Sequence, residues 1–114
     1  YPLTRKVCEV HSLLPHDEAL AWQTRSHINL LLTWSDDSIE GILTGKLFEY
    51  IGAGNPILAI VNGKKDTELE NLFSQFSCGT VLYSTSANVH TQIQKFILEK
   101  FELWQSGQYS DSYT

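Results

Sequence analysis

The sequence predicts an α/β domain built on a parallel sheet whose two faces are both covered by helices. Three short segments, residues 27–33, 56–61 and 80–83, are almost continuously apolar, which is typical of strands buried on both faces. Segments with helical spacing of apolar residues lie between and after them. Because strands that alternate with helices pair in parallel through right-handed crossovers, these two observations together define the class.

The first half of the chain supplies a strand, a helix and a second strand. The weaker strand candidate at residues 7–11 comes first and raises the predicted number of parallel strands to about four. The helix at residues 15–25 begins with Pro15 and acidic residues, which suit a helix N-terminus. It leads into the strand at residues 27–33.

The second half repeats the alternation with clearer boundaries. The helix at residues 46–53 presents a broad apolar face and ends at GAGNP, a glycine-rich stop followed by proline. The next helix, residues 66–75, begins with Asp66 as its N-cap. The long helix at residues 88–105 carries an apolar stripe that we interpret as core packing, with the alternative that its distal end faces a missing domain. The stripe consists of Ile93, Phe96, Ile97, Phe101 and Trp104.

Composition limits the classes of function. With 114 residues and 42% hydrophobic content, the chain is one folded domain at residues 1–105 with a polar C-terminal tail at 106–114. A formal net charge of −5 argues against nucleic acid as a partner, since a phosphate backbone binds a basic surface. Cys8 and Cys78 lack metal-ligand spacing, which favours reduced thiols, a cytoplasmic location and no bound metal. The lack of methionine and of a signal peptide leads us to expect a piece of a longer protein.

The segment GILTGKLFEYIGAGNPILAI, residues 41–60, contains the strongest candidate for a ligand site. It is not a P-loop, because only three residues separate Gly41 from Gly45 and because Leu47 follows the lysine. The groups that remain are nevertheless suited to an anion. They are the Thr44 hydroxyl, the Gly45 amide and the Lys46 ammonium at a helix N-terminus.

Two interpretations of Lys46 and Glu49 follow from their spacing. One is a surface salt bridge, which would contribute only about 0.2–0.5 kcal/mol. Its order is unfavourable, because the lysine stands at the helix N-terminus, where the helix dipole favours an anion. The other is a ligand site, and we favour it. In that case Lys46 binds phosphate, and Glu49 accepts hydrogen bonds from ribose hydroxyls because phosphate would repel it. Together the two side chains indicate a nucleotide diphosphate.

These residues carry a resemblance to a known family. KLFEYIGAGNPILAI resembles the donor-binding segment of retaining GT-B glycosyltransferases, in particular the family-4-like group (glycosyl transferases group 1), which uses nucleotide-diphosphate sugars. PHDEALAWQTRSHINLLLTW resembles the stretch that precedes it, and the likeness covers roughly residues 7–83. It implies a Rossmann-like three-layer α/β/α fold that is part of a GT-B C-terminal domain. It also implies that Glu49 is the second glutamate of the family's paired-glutamate motif and binds the donor ribose.

The resemblance assigns further positions around the donor. It implies that Thr44, Gly45 and Lys46 lie against the diphosphate and sugar, and that Leu14 lies near the base. The first glutamate of the motif should stand at Gly41. The chain has Glu40 one residue earlier, so either Glu40 or Thr44 with backbone amides would contact the sugar.

As a whole, the resemblance implies the donor-binding part of a retaining hexosyltransferase active in polysaccharide biosynthesis. The substrate is a UDP- or GDP-sugar, no metal or other cofactor is expected, and the acceptor is a glycan, a lipid-linked sugar or another group. The N-terminal acceptor domain of the same chain is missing, so this part holds no assigned catalytic residue and is expected to be inactive alone. A peripheral position at the inner face of the membrane stays open for the parent protein.

The likeness also implies that two strands of the parent sheet are absent. The gap either closes by direct pairing of the strands at residues 7–11 and 27–33, or leaves an exposed strand edge that drives self-association. An alternative function stays open at this point. In it the chain is a flavodoxin- or receiver-like regulatory or interaction module without catalysis, and the glycine-rich loop serves only packing and turn formation.

Overall fold

The computed structural model describes residues 13–35 and 45–107 of the chain. Helices and strands alternate throughout this part, as predicted. The elements are α1 (His16–Arg25), β1 (Asn29–Ser35), α2 (Gly45–Ala53), β2 (Ile57–Gly63), α3 (Thr67–Phe76), β3 (Gly79–Tyr83) and α4 (Val89–Gln105). The predicted strand at residues 7–11 and the tail from residue 108 lie outside the described residues.

The three strands form one parallel sheet in the order β1-β2-β3. Ile57 at the start of β2 pairs with Asn29 on one side and with Gly79 on the other. Helices flank this sheet, which confirms the predicted Rossmann-like α/β class with three of the expected parallel strands. The first strand is displaced by two residues from its predicted bounds. It begins at Asn29, whose amide donates to the carbonyl of Pro56 at 2.9 Å, and runs on to Ser35, which pairs with Gly63.

One face of the sheet, which we call the α2–α3 face, carries the larger core. Apolar side chains from alternate strand positions meet the inner sides of α2 and α3 there. The buried hydrophobic residues of this cluster are Leu31, Leu47, Tyr50, Ile57, Ala59, Val61, Leu69, Phe73 and Cys78. The start of α3 is fixed by the predicted cap, since Asp66 Oδ1 accepts a hydrogen bond from the Leu69 amide at 3.0 Å. Burial raises the pKa of the Cys78 thiol in this core.

The opposite face, which we call the α4 face, has a smaller core formed by Leu58, Leu82, Val89 and Phe96. Helix α4 packs against β3 at this face. The side chains that β1 directs to the same side stay exposed. They are Leu30 at 48%, Leu32 at 68% and Trp34 at 52%. The prediction that every strand is buried on both faces is therefore wrong for β1, because the single described helix on this side does not extend over it.

The apolar stripe of α4 divides in the same way. Phe96 is buried and Ile93 packs against the core, as predicted. Ile97, Phe101 and Trp104 each remain 48% exposed, so their assignment to the core is wrong. Together with His27, Ile28 and Lys100 these three line a groove of 280 Å³ between the distal half of α4 and the turn before β1. Trp104 meets the His27 ring edge to face at 4.9 Å between centroids.

No helix within residues 13–35 and 45–107 combines the length and the apolar character needed to cross a bilayer.

Candidate functional site

The site predicted from the sequence lies where the carboxyl ends of the strands meet the start of α2. In a parallel sheet, the loops at this edge hold ligands because strands end and helices begin there. Helix α2 begins at Gly45, one residue before its predicted start. Two predicted donor contacts, Glu40 and Thr44, and the motif position Gly41 lie outside the described residues.

Lys46 lies exposed in the first turn of α2. Within the described parts of the chain it forms no hydrogen bond and no ion pair. The surface salt bridge with Glu49, which the spacing left open, is thus not formed. The lysine ammonium and the positive end of the helix dipole add positive potential at one place.

Glu49 instead contacts α1. Its Oε1 atom accepts a hydrogen bond from Gln23 Nε2 at 2.9 Å, and the residues lie 26 positions apart in the chain. The Glu49 side chain is half-buried. Its charge also acts on the neighbouring Tyr50, whose phenol pKa is raised first by burial and then by the Glu49 carboxylate.

Gln23 is a residue that sequence reasoning missed. Its amide oxygen, Oε1, is buried and has no hydrogen-bond partner in the described part of the chain, whereas Nε2 of the same amide contacts Glu49. An unpaired buried carbonyl costs about 1–3 kcal/mol. The backbone around Gln23 is held firmly, since its carbonyl accepts from Asn29 Nδ2 at 3.1 Å and from Asn55 Nδ2 at 3.3 Å. No short-range pattern predicts this pair, because it depends on α1 packing against α2.

A groove of 320 Å³ runs between these two helices, and we call it the α1–α2 groove. Its walls are Leu20, Gln23 and Thr24 from α1 and Glu49, Gly52 and Ala53 from α2. The small residues of α2 leave room beside the Glu49 carboxylate. Leu14 and Lys46, the predicted base and phosphate contacts, do not line this groove. The structure therefore brings Glu49 together with Gln23, and leaves Leu14 half-buried near the start of α1.

The neighbouring strand ends form a firmly fixed edge. Gly63 has a φ of +124°, and a Cβ atom there would lie 2.0 Å from the Ser35 carbonyl oxygen, so only glycine fits. The same Ser35 oxygen accepts from the Lys64 amide at 2.9 Å. On the next strand, Ser84 Oγ donates to Asn62 Oδ1 at 2.9 Å. These contacts hold the carboxyl ends of the three strands in a fixed arrangement beside α2.

A second polar cluster lies at the start of α3. The Tyr83 hydroxyl accepts from the Asp66 amide at 2.9 Å and donates to Glu70 Oε2. Burial, and then the hydrogen bond to Glu70, raises the pKa of Tyr83 to about 12. Lys65 Nζ lies 3.9 Å from Glu70 Oε1. Asp66 is fully buried, and its Oδ2 has no partner among the described residues. The cluster fixes α3 to β3, a structural role.

Among the residues that the structure describes, no three histidine, cysteine, aspartate or glutamate side chains gather in a way that could hold a metal ion.

The chain matches no protein-family model, no curated protein and no solved structure.

Proposed function

We propose that this chain is the donor-binding part of a retaining glycosyltransferase that uses a nucleotide-diphosphate sugar. The observation that supports this most is the pair of groups on α2. Lys46 is a cation at the helix N-terminus with no partner among the described residues, and Glu49, one turn further on, is a carboxylate held on the wall of a groove. A ligand that carries both phosphates and hydroxyls would complement both groups.

The order of these two charges favours a ligand over a structural pair. A lysine in the first turn opposes the helix dipole, and here no described side chain offsets it. A bound diphosphate would neutralise the lysine and lie at the positive end of the helix dipole. The residue three positions later lies about 4.5 Å further along the helix axis and near the same face, so one ligand could contact both side chains.

Glu49 then acts as an acceptor for hydroxyl groups. A carboxylate close to phosphates cannot bind them directly, whereas it accepts charge-assisted hydrogen bonds from vicinal ribose hydroxyls. The α1–α2 groove beside Glu49 would receive the nucleoside end of the donor.

In the reaction, the bond between the sugar and the diphosphate breaks, and negative charge grows on the departing diphosphate. Lys46 and the α2 amides would stabilise that charge electrostatically. The acceptor, whether a glycan, a lipid-linked sugar or another group, would bind to the acceptor domain of the parent protein. No residue of this chain is assigned as a nucleophile or a general base.

A second function, an interaction module without catalysis, is favoured by a different observation. The α4 face exposes Leu30, Leu32 and Trp34, and large exposed apolar patches mark protein interaction sites. In that case Lys46 and Glu49 would bind no nucleotide, so the same titration separates the two functions.

The test is a calorimetric titration of the folded chain with UDP, GDP and their hexose derivatives. We expect binding of a diphosphate, weakened about 10-fold or more by Lys46→Ala and by Glu49→Ala, since each removes a charge-assisted contact. Lys65→Ala and Glu68→Ala are matched controls that remove the same charges elsewhere on the surface, and they should bind as the unmodified chain does. The proposal fails if the folded chain binds none of these nucleotides at millimolar concentration, or if both α2 variants bind them normally.

A further inference from the structure

We propose that Gln23 is a positioning residue that holds the Glu49 carboxylate ready for the ribose hydroxyls of the nucleotide. This inference rests on the proposed function. It names a residue on α1 that determines specificity for the ribose of the nucleotide.

The geometry divides the two oxygens of Glu49 between two tasks. Gln23 Nε2 donates to Oε1 at 2.9 Å, which fixes the direction of the carboxylate plane. The other oxygen, Oε2, forms no hydrogen bond within residues 13–35 and 45–107 and stays available as an acceptor. Both residues line the α1–α2 groove, so a ligand in that groove would meet a carboxylate already oriented by the protein.

The side-chain amide of Gln23 is chemically suited to orienting Glu49. A lysine or arginine in place of Gln23 would also orient Glu49, but its positive charge would offset the negative charge that a hydroxyl donor requires. The neutral amide orients the carboxylate and leaves that charge in place. Lys46, the nearest lysine along the helix, does not pair with Glu49.

The orientation of the amide supports the same role. The opposite orientation would place Gln23 Oε1 against a carboxylate oxygen, two acceptors facing each other, so Nε2 must point toward Glu49. This leaves Oε1 buried without a partner in the described part of the chain. An apolar side chain of similar size would avoid this unpaired carbonyl. Gln23 therefore contributes little to folding through its amide, and the amide's main effect is on Glu49.

The experiment compares UDP and GDP with their 2′,3′-dideoxy forms, which keep the base and diphosphate and lack both ribose hydroxyls. Dissociation constants are measured for the unmodified chain, for Gln23→Met, for Glu49→Ala and for the double variant, with melting temperatures recorded in parallel. Methionine has nearly the shape of glutamine and lacks the amide; Gln23→Leu serves as a second variant in case Gln23→Met folds poorly.

We expect the unmodified chain to prefer the ribose form about 10-fold, as loss of a charge-assisted hydrogen bond predicts. Gln23→Met should reduce this preference to about twofold or less, leave binding of the dideoxy form within about twofold, and keep or raise the melting temperature. Since Gln23 acts through Glu49, the double variant should bind both forms as Glu49→Ala does.

The positioning role is overturned if Gln23→Met keeps the full preference for ribose, or if it weakens both forms equally. It is also overturned if the unmodified chain binds the diphosphate without any preference for ribose, a result that would leave the Lys46 anion site intact. Failure of the unmodified chain to bind UDP or GDP at all would reject the proposed function and this inference with it.

Discussion

The two faces of the sheet differ in how far their apolar side chains are covered. On the α2–α3 face, Leu31, Ala59 and Val61 are covered by two helices and belong to one continuous core. On the α4 face, the one described helix covers Leu58 and Leu82, while Leu30 and Leu32 of β1 remain exposed. In β1 the buried side carries the polar residues Asn29, Thr33 and Ser35 and the exposed side is apolar, so burial follows the number of helices that pack on each face.

An apolar strand face needs another element to cover it, and the strand sequence alone does not ensure that such an element is present. The distal half of α4 and the turn before β1 enclose the groove lined by Ile28 and Phe101, and the outer side of β1 is exposed at the same face of the sheet. Burial of such surface contributes about 25 cal/mol per Å². Self-association of the chain through its strand edge stays a prediction, and substitutions on the two faces test separately whether each face is covered in solution.

The largest effect is expected within α4, where two phenylalanines of one helix lie in contrasting environments. Phe96→Ala should lower the free energy of unfolding by about 3–5 kcal/mol, because Phe96 is buried in the α4-face core. Phe101→Ala should cost about 1 kcal/mol or less, since its ring is half-exposed. Urea denaturation of both variants measures the difference. Equal losses would mean that the distal half of α4 is covered in solution.

The next comparison uses two neighbouring leucines of β1 that point to opposite faces. Leu31 is 5% exposed and Leu32 is 68% exposed. Leu31→Ala should cost about 2–5 kcal/mol, and Leu32→Ala should change stability by no more than about 0.5 kcal/mol. The measurement is urea denaturation at several protein concentrations. If Leu32→Ala is costly only at high concentration, a second copy of the chain covers the open face.

The smallest effect concerns the rim of the α2–α3 face, where Tyr83 joins β3 to α3. The pKa of Tyr83 is about 12 in the folded chain, above the ordinary value of 10.0, because the neutral phenol is favoured by burial and by Glu70. As the pH rises, the unfolded chain therefore loses the Tyr83 phenol proton before the folded chain does. The stability that Tyr83 provides is fully present below pH 10 and is lost as the pH rises to about 12.

Tyr83→Phe tests this behaviour. At pH 8 the variant should be less stable by about 1 kcal/mol, since the hydrogen bonds to Asp66 and Glu70 are lost. The difference between variant and unmodified chain should shrink between pH 10 and pH 12. A difference that stays constant over this range would show that Tyr83 does not titrate as described. All other side chains are the same in both proteins, so their contributions cancel in the comparison.

Much of the fold could be predicted from the sequence because its signals are local. The glycine-rich stop after α2 and the Asp66 cap before α3 each fix a boundary through nearby backbone chemistry. Periodicity within α4 also predicts a helix correctly, but it cannot show that Phe101 lacks a partner. That depends on which elements lie opposite, a property of the assembled chain.

The candidate site could be predicted only in part, for the same reason. Lys46 and Glu49 are recognisable because they are three residues apart at the start of one helix. The partner that Glu49 actually has, Gln23, belongs to another helix and lies 26 positions earlier in the chain. Spacing along α2 therefore suggests Lys46 as the partner of Glu49, whereas the structure shows Gln23 in that position.

The parallel register of the sheet has a consequence for the order in which the chain folds. Asn29 pairs with Ile57, and Ile57 pairs with Gly79. Each pair of strands can therefore form only when the helix between them has brought the chain back across the sheet. No hairpin is present in this part of the chain to close a ladder early, and the loop entropy of each crossover must be lost before its strands bond. Folding should therefore begin where the crossover is shortest, with β2, α3 and β3. The β1 strand and the Gln23–Glu49 contact should form last, so the proposed nucleotide site is the final part of the domain to become ordered.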